Sequence, residues 1–240
     1  MDDYNLRPGG LSLTKIAADA ASLRESSCVL DIGCGTGVSI SYLYRKYGCH
    51  VTGIDISEKA IETAAGKLKK DETIRLLTAD ASSLPFKDNE FDLVMMECTL
   101  TLFDDPERAL KEAFRVLRKD GILYISVLTR RNTGNANTAP GISASSDNEK
   151  KSALIRDGLL NRSFLISFLS EIGFSDIQCH EHNDVLVQYV ADAIFSCGSL
   201  AEYIRQASES SGGCVLDCDI PAKEAGYACF LAKKDKQTDD

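Results

Sequence analysis

The sequence predicts an α/β fold of the doubly wound, Rossmann-like kind, with a largely parallel sheet and helices on both faces. Two observations predict it. Short apolar runs typical of buried strands alternate with segments whose apolar residues recur at helical spacing. A glycine-rich turn directly follows the first of these runs, in VLDIGCGTGVSI at residues 29–40. Strands that alternate with amphipathic helices imply right-handed crossovers, which place helices on both faces of a parallel sheet.

The individual elements follow from local signals. The predicted strands are, in chain order, VLDI, CHVTGID, TIRLLTAD, FDLVMMEC and GILYISVL. Ser57, Asp105 and Asn161 begin three of the helices, because their side-chain oxygens can accept a hydrogen bond from the first helical turn. Gly48 and Gly173 end two helices, as glycine commonly does. A further strand, SDIQCHE, follows Gly173.

Composition excludes several classes of protein. A net charge of -9 argues against nucleic acid as a partner, because phosphate binding draws on clustered Lys and Arg. The acidic start MDDYNLRPGG is unlike a signal peptide, and no apolar run approaches the roughly 18 residues of a membrane span. We expect a cytoplasmic monomer or homodimer with no membrane or nucleic-acid partner.

The cysteines are numerous but carry no metal-binding pattern. Nine are present, at positions 28, 34, 49, 98, 179, 197, 214, 218 and 229, and none form a CxxC pair. Several fall inside apolar strand-like runs, where a thiol packs as a small hydrophobe. We therefore expect buried, reduced cysteines and no metal site, because the ligand spacing of zinc sites is missing.

Acidic residues end four consecutive predicted strands: Asp31, Asp55, Asp80 and Glu97. In doubly wound folds the ligand lies beyond the carboxyl ends of the strands. Four acids there suit a ligand with a diol, an exocyclic amine and a positive charge better than a phosphate-rich one. Asp55 can accept hydrogen bonds from both hydroxyls of a ribose, and Asp80 from an adenine amino group.

The glycine turn alone does not identify the ligand. The observed spacing is GxGxG, whereas the dinucleotide fingerprint GxGxxG would place its third glycine at Val38. Asp55 fits either kind of cofactor, since NAD enzymes also bind ribose with an acid. A nicotinamide-dependent dehydrogenase therefore stays a less favoured alternative.

Four ordered motifs carry a resemblance to a known family. VLDIGCGTG, GIDIS, TADASSLPFKDNEFDLV and ALKEAFRVLRKDGILYISV resemble the class I S-adenosylmethionine-dependent methyltransferases, in the ubiquinone/menaquinone-biosynthesis branch. The resemblance covers residues 28–128. It implies S-adenosylmethionine as cofactor and a seven-stranded sheet with a final antiparallel strand, which GYACFLAKK can supply.

The resemblance also implies the residues of a cofactor site. These are Asp31, Gly33, Cys34, Gly35, Gly37, Asp55, Ile56, Asp80, Ala81 and Glu97. Asp31 would face the ammonium of the cofactor, Ile56 would pack on the adenine, and the Ala81 N–H would meet the adenine edge. Arg7 would pair with the cofactor carboxylate if the N-terminal segment folds over the site. After the fourth strand LTLFDD replaces the paired histidines of many relatives, so no catalytic base is predicted.

We expect one methyltransferase domain over residues 1–240. Within it, residues 1–27 form an N-terminal cap segment and helix, 28–128 the cofactor-binding core, 130–151 a mobile loop, and 184–210 a helical insertion on the substrate side. Cys98 and Tyr189 are the candidate substrate contacts. Packing of the insertion against the sheet edge or a dimer partner is the alternative.

The function predicted from these observations is methyl transfer to a small-molecule acceptor. A cofactor-binding protein without transferase activity, acting as a sensor or partner subunit, is one alternative, because no base is visible. Methylation of arsenite or another thiophilic metalloid, with Cys98 or Cys179 as ligands, is a second alternative.

Overall fold

A mixed β-sheet forms the framework of the computed structural model, which describes residues 7–68, 71–131, 153–211 and 224–235. The strands are β1 (Cys28–Ile32), β2 (His50–Asp55), β3 (Ile74–Thr78), β4 (Phe91–Glu97), β5 (Leu117–Arg130), β6 (Ile155–Arg156), β7 (Leu159–Leu160), β8 (Phe174–Glu181) and β9 (Ala225–Lys234). The helices are α1 (Gly10–Ala20), α2 (Val38–Tyr47), α3 (Glu58–Lys67), α4 (Pro106–Val116), α5 (Arg162–Glu171), α6 (Asn183–Cys197) and α7 (Leu200–Ser211), with a 3₁₀ turn at Leu100–Leu102.

The strand order confirms the predicted doubly wound sheet. It runs β3-β2-β1-β4-β5 with parallel neighbours and continues through β9 to β8. Strand β9 is antiparallel to both β5 and β8, as the final strand was expected to be. The described chain adds one feature to the seven strands, a two-residue hairpin of β6 and β7 that meets the end of β5 at Thr129.

Two apolar cores lie on opposite faces of the sheet. Alternate residues of β1 point to opposite sides, with Val29 in one core and Leu30 in the other. Helices α1 and α2 supply Leu13 and Leu43 to the Val29 side. Helices α4 and α5 cover the Leu30 side. The sheet is therefore covered on both faces, which explains why its strands are nearly continuous apolar runs.

Most element boundaries agree with the sequence signals. The side chains of Ser57, Asp105 and Asn161 each accept a hydrogen bond from a backbone N–H in the first turn of the helix they precede. The fifth strand is longer than predicted, because the chain passes from α4 into β5 without a loop and pairs with β4 from Leu117 onward. None of the helices within the described ranges has an apolar stretch long enough to cross a bilayer.

Two predictions fall largely outside the described residues. The predicted mobile loop at 130–151 overlaps them only at Arg130 and Arg131, and the pair Cys214 and Cys218 lies outside them. Helices α6 and α7 occupy the residues of the predicted insertion, whose role on the substrate side stays a prediction.

Candidate functional site

The acids predicted at the strand ends meet at one edge of the sheet. Asp31 lies opposite Gly53 of β2 and Met95 of β4, and Asp55 pairs with the last residue of β3. Glu97 is the last residue of β4. Asp80 follows β3 by two residues. Parallel pairing in this register therefore places all four at the carboxyl ends of adjacent strands, where doubly wound folds bind ligands.

The three glycines of the turn adopt left-handed backbone conformations for different reasons. Their φ angles are +75° at Gly33, +53° at Gly35 and +80° at Gly37. A β-carbon on Gly33 would lie 2.4 Å from Thr99 Cγ2, and one on Gly37 would lie 2.9 Å from Leu68 Cδ1. A β-carbon on Gly35 would meet no atom of the described residues within 4 Å, its two chain neighbours apart.

The resemblance implied that all three glycines belong to the cofactor site, and the structure shows why each must be glycine. Protein packing already requires Gly33 and Gly37, whereas Gly35 faces open space. Gly35 is therefore the position of the turn where a bound molecule can approach the backbone closely.

Asp55 ties the glycine turn to the second strand. Its carboxylate accepts hydrogen bonds from the N–H of Gly35 at 3.0 Å and of Ser57 at 2.9 Å, one on each oxygen. Each oxygen keeps a further lone pair for a ligand hydroxyl. The next residue, Ile56, is 72% exposed, although it is a large apolar side chain. An aliphatic surface beside a carboxylate suits a ring attached to a ribose.

The third strand contributes a more open part of the site. The Asp80 carboxylate is exposed and accepts a hydrogen bond from the Ser82 N–H at 2.7 Å. Ala81 is buried beside it. The second carboxylate oxygen of Asp80 can accept a hydrogen bond from an amino group, as predicted for an adenine.

Glu97 is the most strongly held of the four acids. It is only 6% exposed, and its carboxylate accepts hydrogen bonds from Thr14 Oγ1 at 2.9 Å and Ser39 Oγ at 2.6 Å. Arg7 Nη2 lies 2.8 Å from Glu97 Oε2 and also donates to both hydroxyls. Glu97 is therefore a buried, hydrogen-bonded carboxylate and not a solvated strand-end acid.

Arg7 meets a protein carboxylate in this structure. Its predicted contact with a cofactor carboxylate stays a prediction. One observation keeps that contact open, since the buried Nε of Arg7 has no hydrogen-bond partner among the described residues. The guanidinium thus retains a donor after it has bound Glu97.

Asp31 differs from Glu97 in lacking a partner. It is 3% exposed, and among the described residues no group donates a hydrogen bond to its carboxyl. Burial and, next, the charge of Glu97 raise the pKa of Asp31 to about 8, with Arg7 opposing the shift and Asp55 adding to it. Two buried acids, Asp31 and Glu97, thus lie near one arginine that hydrogen-bonds only Glu97, so a cation placed beside Asp31 would be strongly stabilised.

Sequence reasoning missed three residues that shape the site. Thr14 and Ser39 orient Glu97 from α1 and α2, and Thr99 buttresses the glycine turn with a hydrogen bond to the Ile32 carbonyl at 3.0 Å. All three are buried. The only sequence signal is a hydroxyl beside an apolar helix face, which is too common to identify a site.

A cavity of about 660 Å³ borders the strand-end acids. Its walls come from the N-terminal segment and from α6 and α7, and include Arg7, Leu11, Val185, Tyr189 and Tyr203. Because Arg7 also binds Glu97, the cavity and the acid cluster share a wall. A second cavity, of about 680 Å³, includes Ser27 and Gly121 at the amino ends of β1 and β5, the opposite edge from the ligand sites of this architecture.

The two candidate substrate contacts lie near this cavity. Tyr189 is buried in its wall and packs edge-to-face on Tyr203, with ring centroids 5.7 Å apart. Burial, followed by the neighbouring Tyr203 and Cys98, raises the pKa of Tyr189. Cys98 has a left-handed backbone (φ 60°), and its Sγ lies 2.9 Å from the hydroxyl of Tyr227.

The described cysteines are free thiols. Cys34, Cys49 and Cys229 are buried, and the remaining four are half-buried. Burial, as the largest cause, raises the pKa of Cys98, Cys49 and Cys229 to about 11. Within the described ranges, no group of three or more His, Cys, Asp or Glu side chains is arranged to hold a metal ion.

The fold and the site together define a class of protein. A 3-2-1-4-5 parallel sheet completed by an antiparallel strand, a glycine turn after β1 and acids at the following strand ends are the features of class I S-adenosylmethionine-dependent methyltransferases. The sequence model of the family described as "Methyltransferase domain" matches residues 30–125. The resemblance drawn from the sequence is confirmed.

Relatives match over the same region. The chain is 35% identical over 113 residues to a sarcosine/dimethylglycine N-methyltransferase from Halorhodospira halochloris, covering 46% of this chain and 40% of the relative. It is 34% identical over 115 residues to a demethylmenaquinone methyltransferase from Clavibacter sepedonicus, covering 48% and 45%. Each alignment spans less than half of either protein.

A solved structure covers more of the chain. The MccD protein superposes with a TM-score of 0.65 at 27% sequence identity, covering 96% of this chain and 99% of that one. The likeness therefore extends beyond the residues that the sequence comparisons align.

The different surroundings of the glycines predict different stabilities on substitution. Gly33→Ala adds a clash with Thr99 to the left-handed strain, whereas Gly35→Ala adds strain alone, about 1–2 kcal/mol. We expect urea unfolding without added ligand to show Gly33→Ala destabilised by about 2 kcal/mol more than Gly35→Ala. Gly66→Ala, in the interior of α3 with open space around it, is the control, and its free energy of unfolding should equal or exceed that of the parent. Equal losses for Gly33→Ala and Gly35→Ala would contradict the packing account.

Proposed function

We propose that this protein transfers a methyl group from S-adenosylmethionine to a small-molecule acceptor. The observation that carries the proposal is the imbalance at the strand ends, where the buried Asp31 and Glu97 lie near one arginine, Arg7 hydrogen-bonds Glu97, and no described residue donates a hydrogen bond to Asp31. The ammonium of the cofactor is a small cation with hydrogen-bond donors, which is the kind of partner that Asp31 lacks among the described residues.

The other residues fit the remaining parts of the cofactor. The open space at Gly35 allows the cofactor to approach the backbone closely. Asp55 has acceptor capacity left for the ribose hydroxyls, and Ile56 offers an exposed apolar side chain to the adenine. Asp80 suits the adenine amino group, and the unpaired Nε of Arg7 suits the cofactor carboxylate. These fits support the proposal residue by residue.

The residues of the chain contribute positioning. When bound, S-adenosylmethionine supplies an electrophilic methyl group on a positively charged sulfur. Arg7 anchors the N-terminal segment to Glu97 at the strand ends, and Gly9 packs directly against Val185 of α6. These contacts place the N-terminal segment beside the strand ends, and holding two reactants in line accounts for much of the rate in such a reaction.

The acceptor is proposed to bind in the cavity between the N-terminal segment and α6. The cavity shares Arg7 with the acid cluster, and Cys98 and Tyr189 lie beside it. The relatives named above carry small molecules in their names, sarcosine, dimethylglycine and demethylmenaquinone. The differences between these molecules support a small acceptor, and the residues that line this cavity would determine which acceptor binds.

A cofactor-binding protein without transferase activity is the second candidate. The observation that favours it is the chemistry around Cys98. Burial raises the pKa of Cys98 to about 11 and that of Tyr227 well above its usual value, so both groups keep their protons at neutral pH. Neither is therefore a ready base for an acceptor that must lose a proton.

Cofactor binding is tested through the acids that would contact different parts of it. Asp55→Ala removes the ribose acceptor, and we expect calorimetry to show S-adenosylhomocysteine binding weakened by about 2 kcal/mol, the scale of charge-assisted hydrogen bonds. Asp80→Ala should weaken it about fivefold or less, because this carboxylate is exposed. Glu171→Gln, at the distant end of α5, is the control and should bind like the parent. Unchanged affinity in Asp55→Ala would refute the proposed ribose contact.

Methyl transfer itself is tested with an isotope-labelled cofactor. We expect the parent protein, incubated with S-adenosylmethionine carrying a deuterated methyl group and a small-molecule extract, to produce a labelled compound detected by mass spectrometry. Asp55→Ala should produce it more than tenfold more slowly at a cofactor concentration near the parent affinity. Tight cofactor binding with no labelled compound from extracts of several sources would favour the second candidate.

A further inference from the structure

The cavity beside α6 has an aromatic floor. Tyr189 and Tyr203 are 8% and 6% exposed, and they pack edge-to-face against each other at its base. Ala193, which is fully buried, packs with them. Paired aromatic rings offer both an apolar contact area and ring faces that attract cations.

One side of the same cavity is acidic. Asp184, Gln188 and Asp192 line it and stand at positions i, i+4 and i+8 of α6, so they form a row along one helix face. Gln188 Nε2 donates a hydrogen bond to Asp192 Oδ1 at 2.7 Å, which links these two side chains. We call Asp184, Gln188 and Asp192 the acid row. Asp184 and Asp192 are exposed, so both carboxylates lie at the mouth of the cavity.

The described lining residues of the cavity carry a net negative charge. Arg7 is the one basic residue among them, and its guanidinium is already bound to the buried Glu97. Among the described residues, no lysine or arginine lies within ion-pair distance of Asp184 or Asp192. The net charge of -9 adds a weak long-range field of the same sign.

We propose that this cavity selects an acceptor that carries an organic ammonium group. The positive charge lies against the acid row, and the apolar part of the molecule packs on Tyr189 and Tyr203. An acceptor that carries only a carboxylate or phosphate is disfavoured, because no unpaired basic side chain among the described lining residues can compensate its charge. This inference rests on the proposed function, since it names the class of molecule that the methyltransferase would accept.

Three probes with one skeleton and different charges test the selection. They are phenethylamine, 2-phenylethanol and phenylacetate, which are positive, neutral and negative at pH 7. Their binding is measured by titration calorimetry and ligand-observed NMR, with the protein saturated with S-adenosylhomocysteine. We expect phenethylamine to bind at least tenfold more tightly than phenylacetate, a difference of about 1.4 kcal/mol, with the alcohol between them.

Paired variants locate the effect. Asp184→Asn/Asp192→Asn keeps the size of both side chains and removes the charge, so the preference for the amine should fall to about threefold or less. Glu72→Gln/Glu171→Gln removes the same charge from exposed positions outside the cavity and should keep the tenfold preference. Raising the salt concentration should reduce the difference in affinity between phenethylamine and phenylacetate in the parent, because the carboxylates of the acid row are exposed and screened by salt.

The outcomes separate this inference from the proposed function. Equal binding of the three probes, preference for phenylacetate, failure of all three to bind in the millimolar range, or an amine preference that survives in Asp184→Asn/Asp192→Asn would overturn the inference. Binding of S-adenosylhomocysteine is recorded in the same titrations before any probe is added. Failure of the parent to bind it would overturn the proposed function, whichever probe is preferred.

Discussion

The buried ion pair between Arg7 and Glu97 is the interaction on which the rest of the site depends. A carboxylate that is 6% exposed needs a cation and hydrogen-bond donors, and Glu97 obtains them from three separate elements, namely the N-terminal segment, α1 and α2. The pair therefore closes the N-terminal segment over the strand ends and gives the neighbouring cavity one of its walls. The pair also engages Arg7, the one arginine that the described residues place at the acid cluster.

That use of Arg7 leaves Asp31 without a hydrogen-bonded cation among the described residues. Its carboxyl is buried, and burial, the charge of Glu97 and the charge of Asp55 raise its pKa to about 8 against the opposing charge of Arg7. A protein that stabilised only its own fold would gain by placing an apolar or amide side chain here. The acid is instead understandable as half of an interaction whose cationic partner is the cofactor. The open space at Gly35 and the exposed Ile56 lie in the same part of the molecule and follow the same logic.

Much of this arrangement was predictable, because it is encoded locally. The alternation of strands and helices set the fold, and the register of parallel strands made acids at successive strand ends neighbours in space. The roles of Thr14, Ser39 and Thr99 were not predictable, since each depends on a contact with a residue far away in sequence. For the same reason the sequence indicated that Gly33 must be glycine but attributed it to the ligand, when Thr99 is the neighbour that excludes a side chain. The cavity under α6 likewise depends on how the insertion packs, which local patterns do not determine.

Proton release on cofactor binding tests the central claim most directly. Calorimetric titration of S-adenosylhomocysteine at pH 7, in buffers of different ionisation enthalpy, gives the number of protons exchanged per ligand bound. If Asp31 is the acid that awaits the cofactor ammonium, its pKa falls on binding, and the parent should release close to one proton. Asp31→Asn should release almost none. No release by the parent, or an equal release by Asp31→Asn, would contradict the account.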